Sequence, residues 1–134
     1  MRTLAIAGQV TTLRFAISVS TMLLLSAFTP ADLDKAKNAK DYFKDNYWKC
    51  LATEIVQKEQ TNTSVQEFSV FIKVACREER GQFFRSLIDY MGMLHPDAAN
   101  DYNALAAAAN IAVAAAIDDA VKVFVDRRSG DKGK

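Results

Sequence analysis

Residues Ser64–Leu94, SVQEFSVFIKVACREERGQFFRSLIDYMGML, decide how this chain folds on paper. They open on Ser64-Val65-Gln66-Glu67, a capping box in which the Ser64 and Glu67 side chains satisfy each other's backbone amides. Beyond it Val65, Phe68, Ile72, Cys76, Phe83, Leu87, Tyr90 and Leu94 recur at helical spacing, with no proline between them. The pattern predicts one helix over the whole stretch. Its opposite side is apolar too, with Val70, Val74, Phe84 and Ile88 around Gly81. A helix apolar on two sides is normally buried on two sides. The stretch should therefore lie between two other helices or at a dimer interface. Val70, Val74, Phe84 and Ile88 are the candidate interface residues, for a protein partner or a symmetric homodimer.

Upstream, Gln60–Ser64 (QTNTS) is polar and poor in helix formers, so a first helix should run from Leu33 to about Glu59. Asp32 or Asp34 can cap it, and Phe43, Tyr47, Cys50, Leu51 and Ile55 form its apolar face. Downstream, His95-Pro96-Asp97 marks a turn before a third helix from Asp97 to about Arg127. That helix carries an alanine stretch, Ala104–Ala116, and a stripe of Tyr102, Leu105, Ala109, Ala112, Val113, Ala116, Ala120, Val123 and Phe124. Alanine favours the helix and lets neighbours approach closely. Asn110 interrupts the uncharged run, and Asp118 and Asp119 close it, so a tightly packed helix is expected rather than a membrane span. Nothing alternates like a strand. The expected fold is all-α: three long helices in an up-down-up antiparallel bundle over residues 32–128, then a disordered tail over 129–134.

The two cysteines fall in the first two helices. Counted from Asn62, Cys50 lies 12 residues before and Cys76 14 after. At about 1.5 Å per residue they sit roughly 18 and 21 Å from the turn, nearly level on antiparallel helices. Helices about 8–10 Å apart can then carry a disulfide that joins the first to the second. Residues 1–31 suit that chemistry. Arg2 and Arg14 precede the apolar run Phe15–Phe28, and Thr29 and Ala31 stand at the small-residue positions of a cut before Asp32. This is the order of a secretory signal, with a cut after Ala27 as the alternative. A periplasmic or secreted location follows, where cysteine pairs oxidise. Removing the leader takes two of the seventeen basic residues and none of the sixteen acidic ones, leaving the remainder at −1. No large field is left to hold nucleic acid. The basic end (Arg127, Arg128, Lys132, Lys134) is expected to complement the last helix and then fray.

The inventory for catalysis is short. His95 is the only histidine, and Asp97 is its only near partner. A helix-terminal, solvated role suits it better than that of a general base. Metal binding by Cys50, Cys76 and His95 is not expected, because structural zinc takes four ligands at short local spacings. Glu54 and Glu79 interrupt apolar stripes near the cysteines. They fall on opposite sides of the expected bridge, about 10 Å apart, which suits two carboxylates with separate partners, Tyr47 for Glu79. Arg77-Glu78-Glu79-Arg80 reads as a solvated face, and Asn62-Thr63-Ser64 is a glycosylation sequon relevant only in a eukaryotic host. The chain has no glycine-rich phosphate loop, HExxH, nucleophile elbow or CxxC. The expectation is a non-enzyme with no cofactor.

Trp48-Lys49-Cys50 with Leu51 and Ile55, and Val74-Ala75-Cys76-Arg77-Glu78-Glu79-Arg80 with Phe83 and Phe84, resemble the two cysteine regions of periplasmic acid-stress chaperones. The resemblance covers about a quarter of the chain. It implies a small, exported, helical protein with one internal disulfide. The 25 residues between the cysteines are far fewer than in that family, and the alanine-rich third helix has no counterpart in it. The layout is similar to the broader group of small exported bacterial helical proteins. A non-catalytic envelope module that binds protein is the first expectation. An acid-activated holdase is the second, and a small enzyme or metal carrier the third and least favoured.

Overall fold

The computed structural model describes residues 29–131. Of the expected leader over residues 1–31, residues 1–28 lie outside them, as does the expected tail beyond Asp131. The described residues form four helices and no strand: α1 (Pro30–Gln60), α2 (Val65–Phe71), α3 (Arg77–Leu94) and α4 (Tyr102–Asp131).

Helix α1 starts earlier than Leu33 because Thr29 caps it. The Thr29 hydroxyl accepts from the Asp32 amide at 3.2 Å, and the Asp32 carboxylate accepts from the Thr29 amide at 3.0 Å and its hydroxyl at 2.7 Å. Pro30 fits the first turn, where its fixed φ suits a helix and its missing N–H costs nothing. The Ser64–Glu67 box opens α2 as its sequence predicts, with the Glu67 carboxylate 2.8 Å from the Ser64 amide.

The single helix expected over 64–94 is not formed, and so the chain is not three long helices. It breaks between Phe71 and Arg77, where Val74 and Ala75 both donate to the Phe71 carbonyl and Cys76 turns left-handed at φ 54°, ψ 39°. The Arg80 guanidinium donates to the Lys73 carbonyl and folds the break back onto α3. The break lets two apolar surfaces be buried in different directions. Phe68 and Ile72 are fully buried, and the Phe68 ring stacks on Phe124 of α4 at 4.0 Å. Phe83 turns to α1 instead, with its ring 6.1 Å from Tyr47. We attribute the break to this division of packing between α4 and α1.

Contacts descending α1 ascend α3: Cys50 with Cys76, Tyr47 with Phe83, and Lys40 over the Tyr90 ring at 4.8 Å. The two therefore run antiparallel. The core joins Tyr47, Leu51 and Ile55 of α1 to Phe68, Ile72 and Phe83, and to Val113, Ala116, Ala120 and Phe124 of α4. These are the expected faces of the first and last helices. Tyr102 and Val123, placed in the same stripe by sequence, are exposed.

Helix α4 begins at Tyr102 rather than Asp97. Residues 95–101 are spent on successive turns, with Ala98 donating to the His95 carbonyl and Asp101 to that of Ala98. The Asp101 carboxylate then takes the Ala104 amide at 3.0 Å, as a cap does. At its other end α4 continues through Ser129–Asp131, which were expected to be disordered. The anchor is polar. Arg127 Nε lies 2.8 Å from Glu59 Oε1, and Arg128 donates to the Thr63 carbonyl and, at 3.3 Å, to Asn62 Oδ1. The arginines expected to fray clamp α4 to the end of α1. Among the described residues α4 is long and apolar enough to cross a membrane by length and composition, with mean hydropathy 1.6 over 18 residues, of which 28% are buried.

Candidate functional site

Two features stand out: the tied break before α3 and a groove toward the other end of α3. Cys50 and Cys76 are bonded, with S–S 2.01 Å and Cα–Cα 5.9 Å. The tie does not join two long helices side by side, as expected. It joins α1 to the residue that caps α3, and Cys76 offers that helix no side-chain cap.

Glu79, three residues on, is half-buried and close to both sulfurs, the three ligand atoms all lying within 4.8 Å of one another. Its expected partnership with Tyr47 is not made: the Tyr47 hydroxyl is buried without a hydrogen-bond partner. Burial pushes that phenol above its ordinary range, and the positive charge of Arg80 partly offsets the push. Glu54, also half-buried, lies on α1 toward the turn from Cys50. His95 is exposed at the end of α3 and stands apart from the cysteines in this cluster.

The groove, of about 900 Å³, runs between the first half of α1 and the last half of α3, closed at one end by the loop before α4. Ala36, Ala39, Phe43, Ile88, Met93 and Leu105 give it an apolar lining, and exposed Asp32, Lys35, Arg85 and Asp89 border it. A smaller cleft of about 490 Å³ carries Lys40, Lys44, Trp48, Leu87 and Asp119.

The four candidate interface residues have separate settings. Val70 on α2 is 65% exposed and Val74 in the break is 70% exposed. Phe84 packs against the core cluster, and Ile88 lines the groove. The interrupted helix no longer aligns them in one straight strip. Sequence reasoning missed Arg80, Arg127 and Arg128, whose partners are the Lys73 carbonyl, the Glu59 carboxylate and the Thr63 carbonyl. It also missed the exposed outer side of α4, where Ile111 is 72% exposed. The signal for that side was present: Ala104, Ala107, Ala108, Ile111, Ala114 and Ala115 share a helical face opposite the core stripe. No family model, curated protein or solved structure matches the chain.

Proposed function

We propose that this chain is an exported, non-catalytic module of the cell envelope, periplasmic or secreted, that works by contact with another protein or a second copy of itself. Its framework on this reading is an up-down-up arrangement of α1, α3 and α4, with α2 as a short brace. The observation that carries the reading is exposed apolar surface: Val70, Val74 and Ile111 are each at least 65% exposed. Apolar side chains grouped in a patch mark a surface that is covered in use, and Val70 and Val74 stand four residues apart at and just beyond the end of α2. The bonded cysteine pair supports an oxidising compartment. A photo-crosslinking side chain at position 70, 74 or 111, in the protein expressed in its own host, tests it. A discrete adduct at one position and none at exposed Asp45 supports the proposal. Equal, diffuse labelling at all four positions refutes it.

A second reading, an acid-activated holdase, is favoured by how α2 is held. Its cap needs an ionised Glu67, whose carboxyl is held below its ordinary value by hydrogen bonds from Ser64. The brace is seven residues long and covers the fully buried Phe68 and Ile72. Loss of that cap in acid would release apolar surface, in keeping with the resemblance to periplasmic acid-stress chaperones. A fluorescent apolar dye that brightens between pH 5 and pH 3, while far-ultraviolet helicity persists, would favour this reading. A flat dye signal would remove it.

A further inference from the structure

The Cys50–Cys76 bridge has a third ligand-type group against it, the Glu79 carboxylate, with all three residues half-buried. We propose that the reduced chain binds one thiophilic divalent cation of the zinc class on Cys50 Sγ, Cys76 Sγ and the Glu79 carboxylate. Disulfide and metal are then alternative ties between α1 and the start of α3.

The placement of Glu79 follows from helix geometry. Cys76 is the N-cap of α3 and Glu79 its third residue. The same two positions are filled by Thr29 and Asp32 in α1 and by Ser64 and Glu67 in α2, and in both pairs the side chains meet at 2.7 Å. Helix α3 puts Cys76 and Glu79 at the same two positions, but left-handed Cys76 makes no side-chain cap hydrogen bond, so its sulfur and the Glu79 carboxylate lie near each other without one. Cys50 supplies the third donor from α1, whose backbone holds Cα–Cα at 5.9 Å.

The donors fit the ion. Zinc takes thiolate at about 2.3 Å and carboxylate at about 2.0–2.2 Å, so ligand atoms in a tetrahedral site stand roughly 3.5–3.8 Å apart. The carboxylate, within 4.8 Å of both sulfurs, has about an ångström to travel. The sulfurs separate by rotation about their Cβ atoms. Two thiolates and a carboxylate crowded together repel, and a divalent cation removes that repulsion. The fourth position falls to water on the open side of the cluster.

The chemistry balances with a named reductant. A dithiol or a phosphine supplies two electrons, and with two protons the disulfide becomes two thiols. The cation displaces both protons as it binds. His95 takes no part, which separates this donor set from the Cys50, Cys76 and His95 set weighed and set aside on sequence.

The test uses the reduced chain, freed of reductant under anaerobic conditions and titrated with cadmium and then zinc. One cadmium per chain, a thiolate-to-cadmium ultraviolet band, release of two protons and a raised thermal midpoint are expected. Glu79→Gln should weaken binding at least about tenfold, while its oxidised form melts where the oxidised wild type does. Cys76→Ser should lose the band. Equal affinity of wild type and Glu79→Gln would overturn the proposal. So would a reduced wild type that takes up no cadmium, including one that unfolds and is not refolded by the metal.

Discussion

Removing the bridge should cost this protein about 3.5 kcal/mol, and what is left behind at Cys76 should reveal why the helix breaks there. The sulfurs close a loop with a sequence separation of 26. In the chain-entropy relation this loop lowers the entropy of the unfolded chain by about 12 cal/mol/K, or about 3.5 kcal/mol at room temperature. Cys50→Ala with Cys76→Ala should lose that amount. Cys76 also sits at φ 54°, a conformation that costs an ordinary residue about 1–2 kcal/mol and a glycine almost nothing. Cys50→Ala with Cys76→Gly should therefore recover roughly 1 kcal/mol over the double alanine variant. Urea melts followed by circular dichroism measure all three proteins. Equal midpoints for wild type and double alanine would refute the loop argument. A double alanine variant more stable than its glycine partner would refute the claim that packing imposes the break. It would mean that the bridge alone bends a segment otherwise content to be one helix.

Three further outcomes are expected. Asp32 and Glu67 are held below their ordinary values, chiefly by side-chain hydrogen bonds from Thr29 and Ser64. Their contribution is thus complete above the unfolded carboxyl pKa and fades as pH falls through the lower folded one. Glu67→Gln should flatten the acid limb of a stability-versus-pH curve, and an unchanged limb would count against the cap. Arg128→Ala should cost roughly 1–2 kcal/mol in urea melts and loosen residues 60–64 in amide exchange, since Arg128 holds the Asn62 side chain and the Thr63 carbonyl. On the proposed reading of an exported chain, the mature form should keep Thr29 and Pro30, because a cut before Asp32 removes the cap of α1. Intact mass should therefore match a start at Phe28, after Ala27, and fall two hydrogens short of the reduced value.

Local signals were readable in this chain, and long-range ones were not. The buried face of α1 (Tyr47, Leu51, Ile55) and that of α4 (Leu105, Ala109, Val113, Ala116, Ala120, Phe124) follow from spacing, because each faces one core. The Ser64–Glu67 box is likewise readable, since its partners lie three residues apart. The Thr29–Asp32 box has the same form but was read as the small-residue end of an expected leader, which pulled the expected start of α1 to Leu33. Arg80 to Lys73 and Arg128 to Thr63 depend on carbonyls that are free only because the backbone turns there. No residue pattern announces such an acceptor. The last helix was expected from Asp97 rather than Tyr102 because Pro96 marks only the first turn, while a second turn ending at Asp101 intervenes.

The cysteine pairing is the instructive case, since a sound conclusion rested on an unsound path. Counting 12 and 14 residues from Asn62 assumes two unbroken helices leaving one turn. The chain instead spends Ser64–Phe71 on a brace against α4 and only then starts the true antiparallel partner of α1. Cys76 reaches the level of Cys50 because it is the hinge between those two tasks, where the backbone leaves helical geometry altogether. A periodic apolar stripe continues through such a hinge unmarked, because Phe68 and Phe83 are both buried, whichever core wall each faces. Spacing reports that a residue is covered. It does not report by what, and that difference turned one expected helix into two and brought Glu79 to the sulfurs rather than to Tyr47.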